Sequence, residues 1–334
     1  MMIVATKRNL RSIVALLVLS SSIIGSVTAT TATDSLDEEQ ILHIRDKMNE
    51  DGYVVVRDMF DREMLNEWTQ FANTYFQRLF RQLHDHGHID VPHPIKPTYE
   101  DPMNPTLQTG AVYSMGVGYK PGFQEIVHRH PGRYELSLVQ HFGEKDNRKD
   151  LHDMPQESIH KIIEYLSPIA TSIFNDHPHV IENNDIDKYN VIYSILMSTP
   201  GSQPQNIHVD TKHLSQTQHY PSHCFNVFIP LINITSQDLG PTEVIPKSHI
   251  YTRYKGMQQE LGIEKVPPVS PLLNVGDILL FDYRTLHRGL SNAQHTYQNR
   301  PILVVTFSIP TFHDVENWPK RSLFENNFFQ QFKK

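Results

Sequence analysis

The sequence predicts an all-β core with flanking helices, arranged as a jelly-roll barrel, and three observations carry that expectation. From Lys188 onward the chain is a series of short, β-branched and aromatic runs separated by Gly and Pro turn signals. Two long stretches before it, around residues 61–80 and 158–174, repeat apolar residues at helical spacing. The chain has a single cysteine, Cys224, so no intramolecular disulfide frame replaces a large apolar core.

The first 29 residues read as a secretory signal, with Lys7, Arg8 and Arg11 before the apolar Ile13–Gly25 and the small residues Val27-Thr28-Ala29 at its end. A secreted or lumenal location follows, with a signal-anchored lumenal membrane protein as the alternative; nothing later is apolar for long enough to cross a bilayer. Removing residues 1–29 takes away three cations and no acids, so the formal net charge moves from −7 to −10. Such a chain lacks the clustered basic surface that nucleic acid requires. Residues 34–334 then form a single domain: 34–185 as helical support and candidate lid, 186–312 as jelly-roll core, and 313–334 as a C-terminal tail.

Leu36, Ile41, Ile44 and Met48 are spaced for a first helix, and Gly52 to Arg57 for a strand. Asp61 is placed to cap a second helix that presents Leu65, Trp68, Phe71, Ala72, Tyr75, Phe76, Leu79 and Phe80 on one face. That stripe suits core packing better than a partner surface. Residues 82–130, rich in His, Pro and Gly, are the candidate lid. Arg133 to Leu138 reads as a strand with Arg133, Glu135 and Ser137 on one face; Arg133 is expected in a structural salt bridge or against substrate. Ser158 to Phe174 is a further amphipathic helix. Beyond it, Tyr189–Met197, Phe225–Leu231, Thr242–Ile245, Ile278–Asp282 and the run after Asn299 are strands. Cys224 suits a buried structural thiol, and Asn233-Ile234-Thr235 is a glycosylation sequon. The aromatic tail docks on the barrel or on a second subunit, and the oligomeric state stays open.

The chemistry lies in Asn206-Ile207-His208-Val209-Asp210 and Leu286-His287-Arg288-Gly289. Side chains two apart on a strand share a face, so His208 and Asp210 present an imidazole and a carboxylate side by side. His287 comes 79 residues later, within the same domain. Two His and one carboxylate on one face of a metal leave the other face open, as in non-haem Fe(II) oxygenases. Arg300 follows His287 by 13 residues and opens an apolar strand, where a buried cation needs an anion. A second His-x-Asp, His88-Ile89-Asp90, sits in a polar Gly- and Pro-containing stretch and reads as a surface loop. His213, His219 and His223 are likewise loop residues, since a fourth ligand would close a position that the reaction needs.

The stretches Gln205–Asp210, Gly240–His249, Gly276–Asp282 and His287–Pro301 together resemble the phytanoyl-CoA dioxygenase-like Fe(II)/2-oxoglutarate oxygenases over roughly residues 50 to 312. The resemblance implies a double-stranded β-helix, cupin-like barrel. It implies His208, Asp210 and His287 as iron ligands, Arg300 as the clamp on the far carboxylate of 2-oxoglutarate, and dioxygen as the oxidant. Relatives that halogenate lack the carboxylate, so Asp210 favours hydroxylation, or desaturation as a variant, of an unactivated carbon in a small organic molecule. A protein or peptide side chain is the alternative substrate, and a non-catalytic metal-binding jelly roll the alternative role. Asn226 takes the place of an aromatic residue expected against the cosubstrate, and Gly289 that of a usual Ser. Both departures, together with a secretory-route location, argue against phytanoyl-CoA itself.

Overall fold

The computed structural model describes residues 26–28, 36–85, 122–139, 148–181, 189–251 apart from 216, 266–312, 317–319 and 322–324. Its strands are β1 (Ser26–Thr28), β2 (Tyr53–Arg57), β3 (Gly122–Phe123), β4 (Ile126–His130), β5 (Arg133–Ser137), β6 (Asn190–Ser198), β7 (Cys224–Pro230), β8 (Thr242–Val244), β9 (Ile278–Asp282), β10 (His287–Gly289) and β11 (Arg300–Ser308). Three long helices, α1 (Glu38–Asp51), α2 (Arg62–Asp85) and α3 (Gln156–Phe174), precede most of the sheet. The main sheet runs β1-β2-β9-β7-β11-β6-β5-β4-β3, and β10 pairs with β8 in a second sheet. All neighbours are antiparallel except β1 on β2.

Local chemistry sets the helix ends. Asp37 and Gln40 form a capping box at the start of α1, each side chain accepting from the other's backbone N–H, at 2.8 and 3.0 Å. Gly52 ends that helix in the left-handed region, φ 78°, and a Cβ there would meet the His249 ring at 2.4 Å. Asp61 caps α2 by accepting from the Glu63 N–H at 2.8 Å. The whole predicted apolar face of α2 is buried, so it is core.

Strand alternation divides the main sheet into two faces. Phe225, Val227 and Ile229 on β7, Ile278 and Leu280 on β9, and Leu303, Val305 and Phe307 on β11 pack with the helices. Their neighbours Phe228, Leu279, Phe281, Ile302 and Val304 pack toward the small sheet, through Val244 and Leu273. Burial on both faces explains why these strands read as nearly continuous apolar runs. The result is a layer of helices, a large sheet and a smaller facing sheet, the double-stranded β-helix that the sequence predicts.

Several expectations change. Of the lid candidate, residues 82–85 complete α2 and 122–130 contain β3 and β4; the rest, including His88-Ile89-Asp90, lies outside the described residues. Most of the expected signal segment, residues 1–25, also lies outside them. Strands β2 to β5 join the main sheet, so residues before 186 supply sheet as well as helical support. The described part of the tail, 317–319 and 322–324, packs on its own chain: Glu125, fully buried, accepts from the Ser322 hydroxyl and the Leu323 N–H. Cys224 is buried on β7, as expected. Asn233 is exposed, beyond the end of β7 at Pro230, with its Oδ1 accepting from the Val275 N–H. Among the described residues no helix is long and apolar enough to cross a membrane.

Phe307 tests the helix-facing layer. It is fully buried and stacks on Phe225 with ring centroids 5.3 Å apart. Phe307→Ala should lower unfolding free energy by about 3–5 kcal/mol, measured by denaturant titration, with the metal site retained.

Candidate active site

The segment carrying His208 and Asp210 does not form a regular strand; it is held by an isolated bridge between His208 and His287. The His208 N–H donates to the His287 carbonyl at 3.0 Å, and the His287 N–H returns the bond at 2.9 Å. The Asp210 N–H donates to the Tyr283 carbonyl at 2.8 Å, which ties the carboxylate to the turn between β9 and β10. That turn is itself braced by a buried pair, Arg284 with Asp282 at 2.6 Å. Burial alone would raise the Asp282 carboxyl, yet the Arg284 guanidinium holds it well below the usual carboxylate range. On the other side β10 pairs with β8, where Arg288 meets Glu243 at 2.6 Å.

These contacts bring the three predicted ligands together. His208 Nε2 lies 3.7 Å from Asp210 Oδ1, and His287 Nε2 lies 3.7 Å from Asp210 Oδ2. The two imidazole centroids are 4.5 Å apart. Among the described residues this is the group able to hold a metal ion, with one ligand atom from each residue and all within 4.8 Å of one another. Proton placement agrees with that use. His208 Nδ1 lies 2.8 Å from the Asn206 carbonyl and His287 Nδ1 lies 2.9 Å from the Thr285 carbonyl. A carbonyl only accepts, so each Nδ1 carries a proton, which leaves Nε2 as the atom turned to a metal. Burial also pushes the His287 imidazole down, favouring the neutral form that binds metal.

Asn226 sits against this group. Its Nδ2 donates to Asp210 Oδ2 at 2.9 Å, and its Oδ1 accepts from the Thr306 hydroxyl at 2.6 Å. The Thr306–Asn226 bond therefore fixes which way the amide points and holds the carboxylate toward the imidazoles. A cavity of about 530 Å³ opens from the three ligands and is lined by Asn226, Phe228, Val304 and Thr306 from the sheet. Arg300 lies on the same end of the barrel as Gly289, but its guanidinium is fully buried and stands outside the cavity lining. The extra loop histidines His213, His219 and His223 do not line the cavity either.

The family model for phytanoyl-CoA dioxygenase (PhyH) matches residues 48–300. The chain belongs to the phytanoyl-CoA dioxygenase family. It is an Fe(II)- and 2-oxoglutarate-dependent dioxygenase, and the ligand set, spacing and imidazole tautomers fit iron with its cosubstrate. Solved structures with similar folds include the non-heme alpha-ketoglutarate-dependent carbocyclase SnoK from nogalamycin biosynthesis. It is 14% identical with a TM-score of 0.49, and the match covers 84% of this chain and 86% of that one. AviO1 from Streptomyces viridochromogenes Tue57 is 14% identical with a TM-score of 0.48, over 84% of this chain and 99% of that one.

The phytanoyl-CoA dioxygenase model stops at Arg300, yet the cavity wall continues past it. Asn317 and Trp318 line the cavity from the tail. The Asn317 amide reaches the Asp210 carbonyl at 3.4 Å, and the Arg129 guanidinium lies 5.1 Å from the centre of the Trp318 ring. Arg129 donates to Glu135 and to the Asn317 carbonyl, while the Ser194 hydroxyl donates to Glu135 at 2.7 Å. Sequence reading placed Glu135 on the face shared with Arg133, the one signal available for this wall. Arg129, Ser194 and Asn317 carry no local signature, whereas Trp318 belongs to the aromatic tail expected against the barrel or a second subunit.

Asn226→Ala should weaken iron binding roughly 10- to 100-fold by releasing the Asp210 carboxylate, read by metal titration. Thr306→Val should weaken it less, because the amide stays but loses its orienting donor.

Proposed function

We propose that this enzyme hydroxylates an unactivated carbon of a small organic molecule, coupled to decarboxylation of 2-oxoglutarate to succinate and carbon dioxide. The observation that carries the reading is the cavity itself: a space of about 530 Å³ begins at His208, Asp210 and His287 and lies within the size range of small-ligand sites. When bound, iron supplies the oxidising chemistry with dioxygen and the 2-oxo acid.

The chain's residues do the rest. His208 and His287 offer their Nε2 atoms, and Asp210 supplies a carboxylate ligand, oriented by Asn226. Asp210 occupies the position a halide would otherwise take, which supports oxygen transfer over halogenation. Phe228, Val304 and the β-branched Thr306 form the apolar side of the cavity and limit water beside the reacting carbon. Arg129, Glu135 and Ser194 form a polar wall opposite, suited to hydroxyl or amine groups on the substrate. Arg300, buried and cationic, is assigned to the far carboxylate of 2-oxoglutarate.

The test follows succinate release from 2-oxoglutarate with Fe(II) and ¹⁸O₂, in the presence of small-molecule fractions. Stimulated release with one labelled oxygen in the product supports hydroxylation. Stimulated release with loss of two hydrogens and no label would replace it with desaturation. Stimulation by peptides alone would move the substrate to a protein side chain. His208→Ala should abolish release, and Arg300→Ala should raise the KM for 2-oxoglutarate at least tenfold, the order expected for a lost charge-assisted bond.

A further inference from the structure

At the end of the site beyond Gly289, the structure buries two cations together. Strands β5, β6 and β11 are neighbours, and Ser198 on β6 stands opposite both Arg133 on β5 and Arg300 on β11. The Ser198 hydroxyl accepts from Arg300 Nη2 at 2.6 Å and from Arg133 Nη1 at 2.8 Å. Both arginines have 0% exposure, which makes their charges costly unless an anion answers them. Among the described residues neither is in an ion pair, which corrects the expectation of a salt bridge at Arg133. Arg133 gives its remaining bonds to the neutral carbonyls of Gln203 and Leu290. Arg300 Nε and Nη1 are buried with no hydrogen-bond partner. Burial lowers both guanidiniums, Arg300 to about 10, and the charge on Arg300 lowers Arg133 further.

Gly289 is what lets Arg133 stand there. A Cβ at 289 would lie 2.5 Å from Arg133 Nη1, 2.9 Å from its Cζ and 2.9 Å from Gln205 Oε1. A side chain at 289 and the Arg133 guanidinium therefore exclude each other. Gly289 lies two strand residues from His287 and on the same face, so this end of the site is aligned with the metal ligands.

We infer that Arg133 is a second cation of the cosubstrate clamp, admitted by Gly289 and coupled to Arg300 through the Ser198 hydroxyl, so that the site selects 2-oxo acids bearing a second carboxylate. This rests on the 2-oxoglutarate reading above. Arg300 offers the open donors, and Arg133 holds Ser198 and supplies the added positive potential that the far carboxylate meets. A 2-oxo acid without that carboxylate gains nothing from either.

The experiment titrates 2-oxoglutarate, and in parallel pyruvate, into the Mn(II)-loaded full chain by calorimetry. Arg133→Gln should weaken 2-oxoglutarate roughly 10- to 100-fold, the range for losing a charge-assisted contact, while pyruvate binding stays unchanged. Arg133→Lys should retain part of the affinity, and Gly289→Ala should reproduce the loss by displacing the guanidinium. A folded Arg133→Gln protein with wild-type metal affinity that binds 2-oxoglutarate within about twofold of wild type overturns the inference. Should Arg133→Gln not fold, wild-type affinity in both Arg133→Lys and Gly289→Ala overturns it equally. Wild type binding both acids with equal affinity refutes the two-cation wall and leaves cosubstrate chelation standing. Wild type that holds metal and binds neither acid removes the 2-oxoglutarate reading, and this inference with it.

Discussion

The reciprocal backbone bonds between His208 and His287 are the constraint on which this site depends. One residue pair joins two segments far apart in sequence, with both N–H groups donating across at 3.0 and 2.9 Å. Because each imidazole also gives its Nδ1 proton to a nearby carbonyl, the backbone sets ring position and the nitrogen that faces the metal. Asp210 is added by a third backbone bond, to Tyr283, and aimed by Asn226. The ion pair of Asp282 and Arg284 and the pairing of β10 with β8 then hold the supporting turn and strand. The main sheet on one side and the braced turn with β10 on the other leave the three ligand residues lining the cavity.

The site is polarised along β10. At its start are the two imidazoles and one carboxylate; two residues on is Gly289, behind which stand two buried guanidiniums. In the clamp proposed above, a dianionic 2-oxo acid answers both ends, one by chelation and the other by ion pairing. The opposite wall, built from β4, β5, β6 and the tail, carries a different character. There Arg129 and Glu135 neutralise each other and Trp318 covers the guanidinium. The two ends thus differ in character, one backed by buried guanidiniums without an acidic partner and the other balanced and aromatic.

How far the sequence revealed this follows the range of each interaction. The period of two made His208 and Asp210 a pair, and an arginine opening an apolar strand marked Arg300, because both signals are local. The apolar stripe on α2 was legible for the same reason, and Asp61 announced its cap. Arg133 was visible as a strand residue, but its lack of an acidic partner depends on which strands are neighbours, and its access depends on a glycine 156 residues away. Asn317 meets Arg129 across a separation of 188 residues, a contact no local pattern encodes. The segment around His208 was read as a regular strand because alternation does not distinguish a paired ladder from one bridge. Residues 82–130 read as one long lid, although 82–85 are helix and 122–130 carry β3 and β4, since His and Gly hide two short strands.

The most direct measurement is made on the purified chain under anaerobic conditions, by adding Fe(II) and then 2-oxoglutarate and recording the visible spectrum. The account predicts a weak metal-to-cosubstrate charge-transfer band that is absent in His208→Ala, where an imidazole ligand is gone. Wild-type protein that binds Fe(II) and shows no band at saturating 2-oxoglutarate would contradict it.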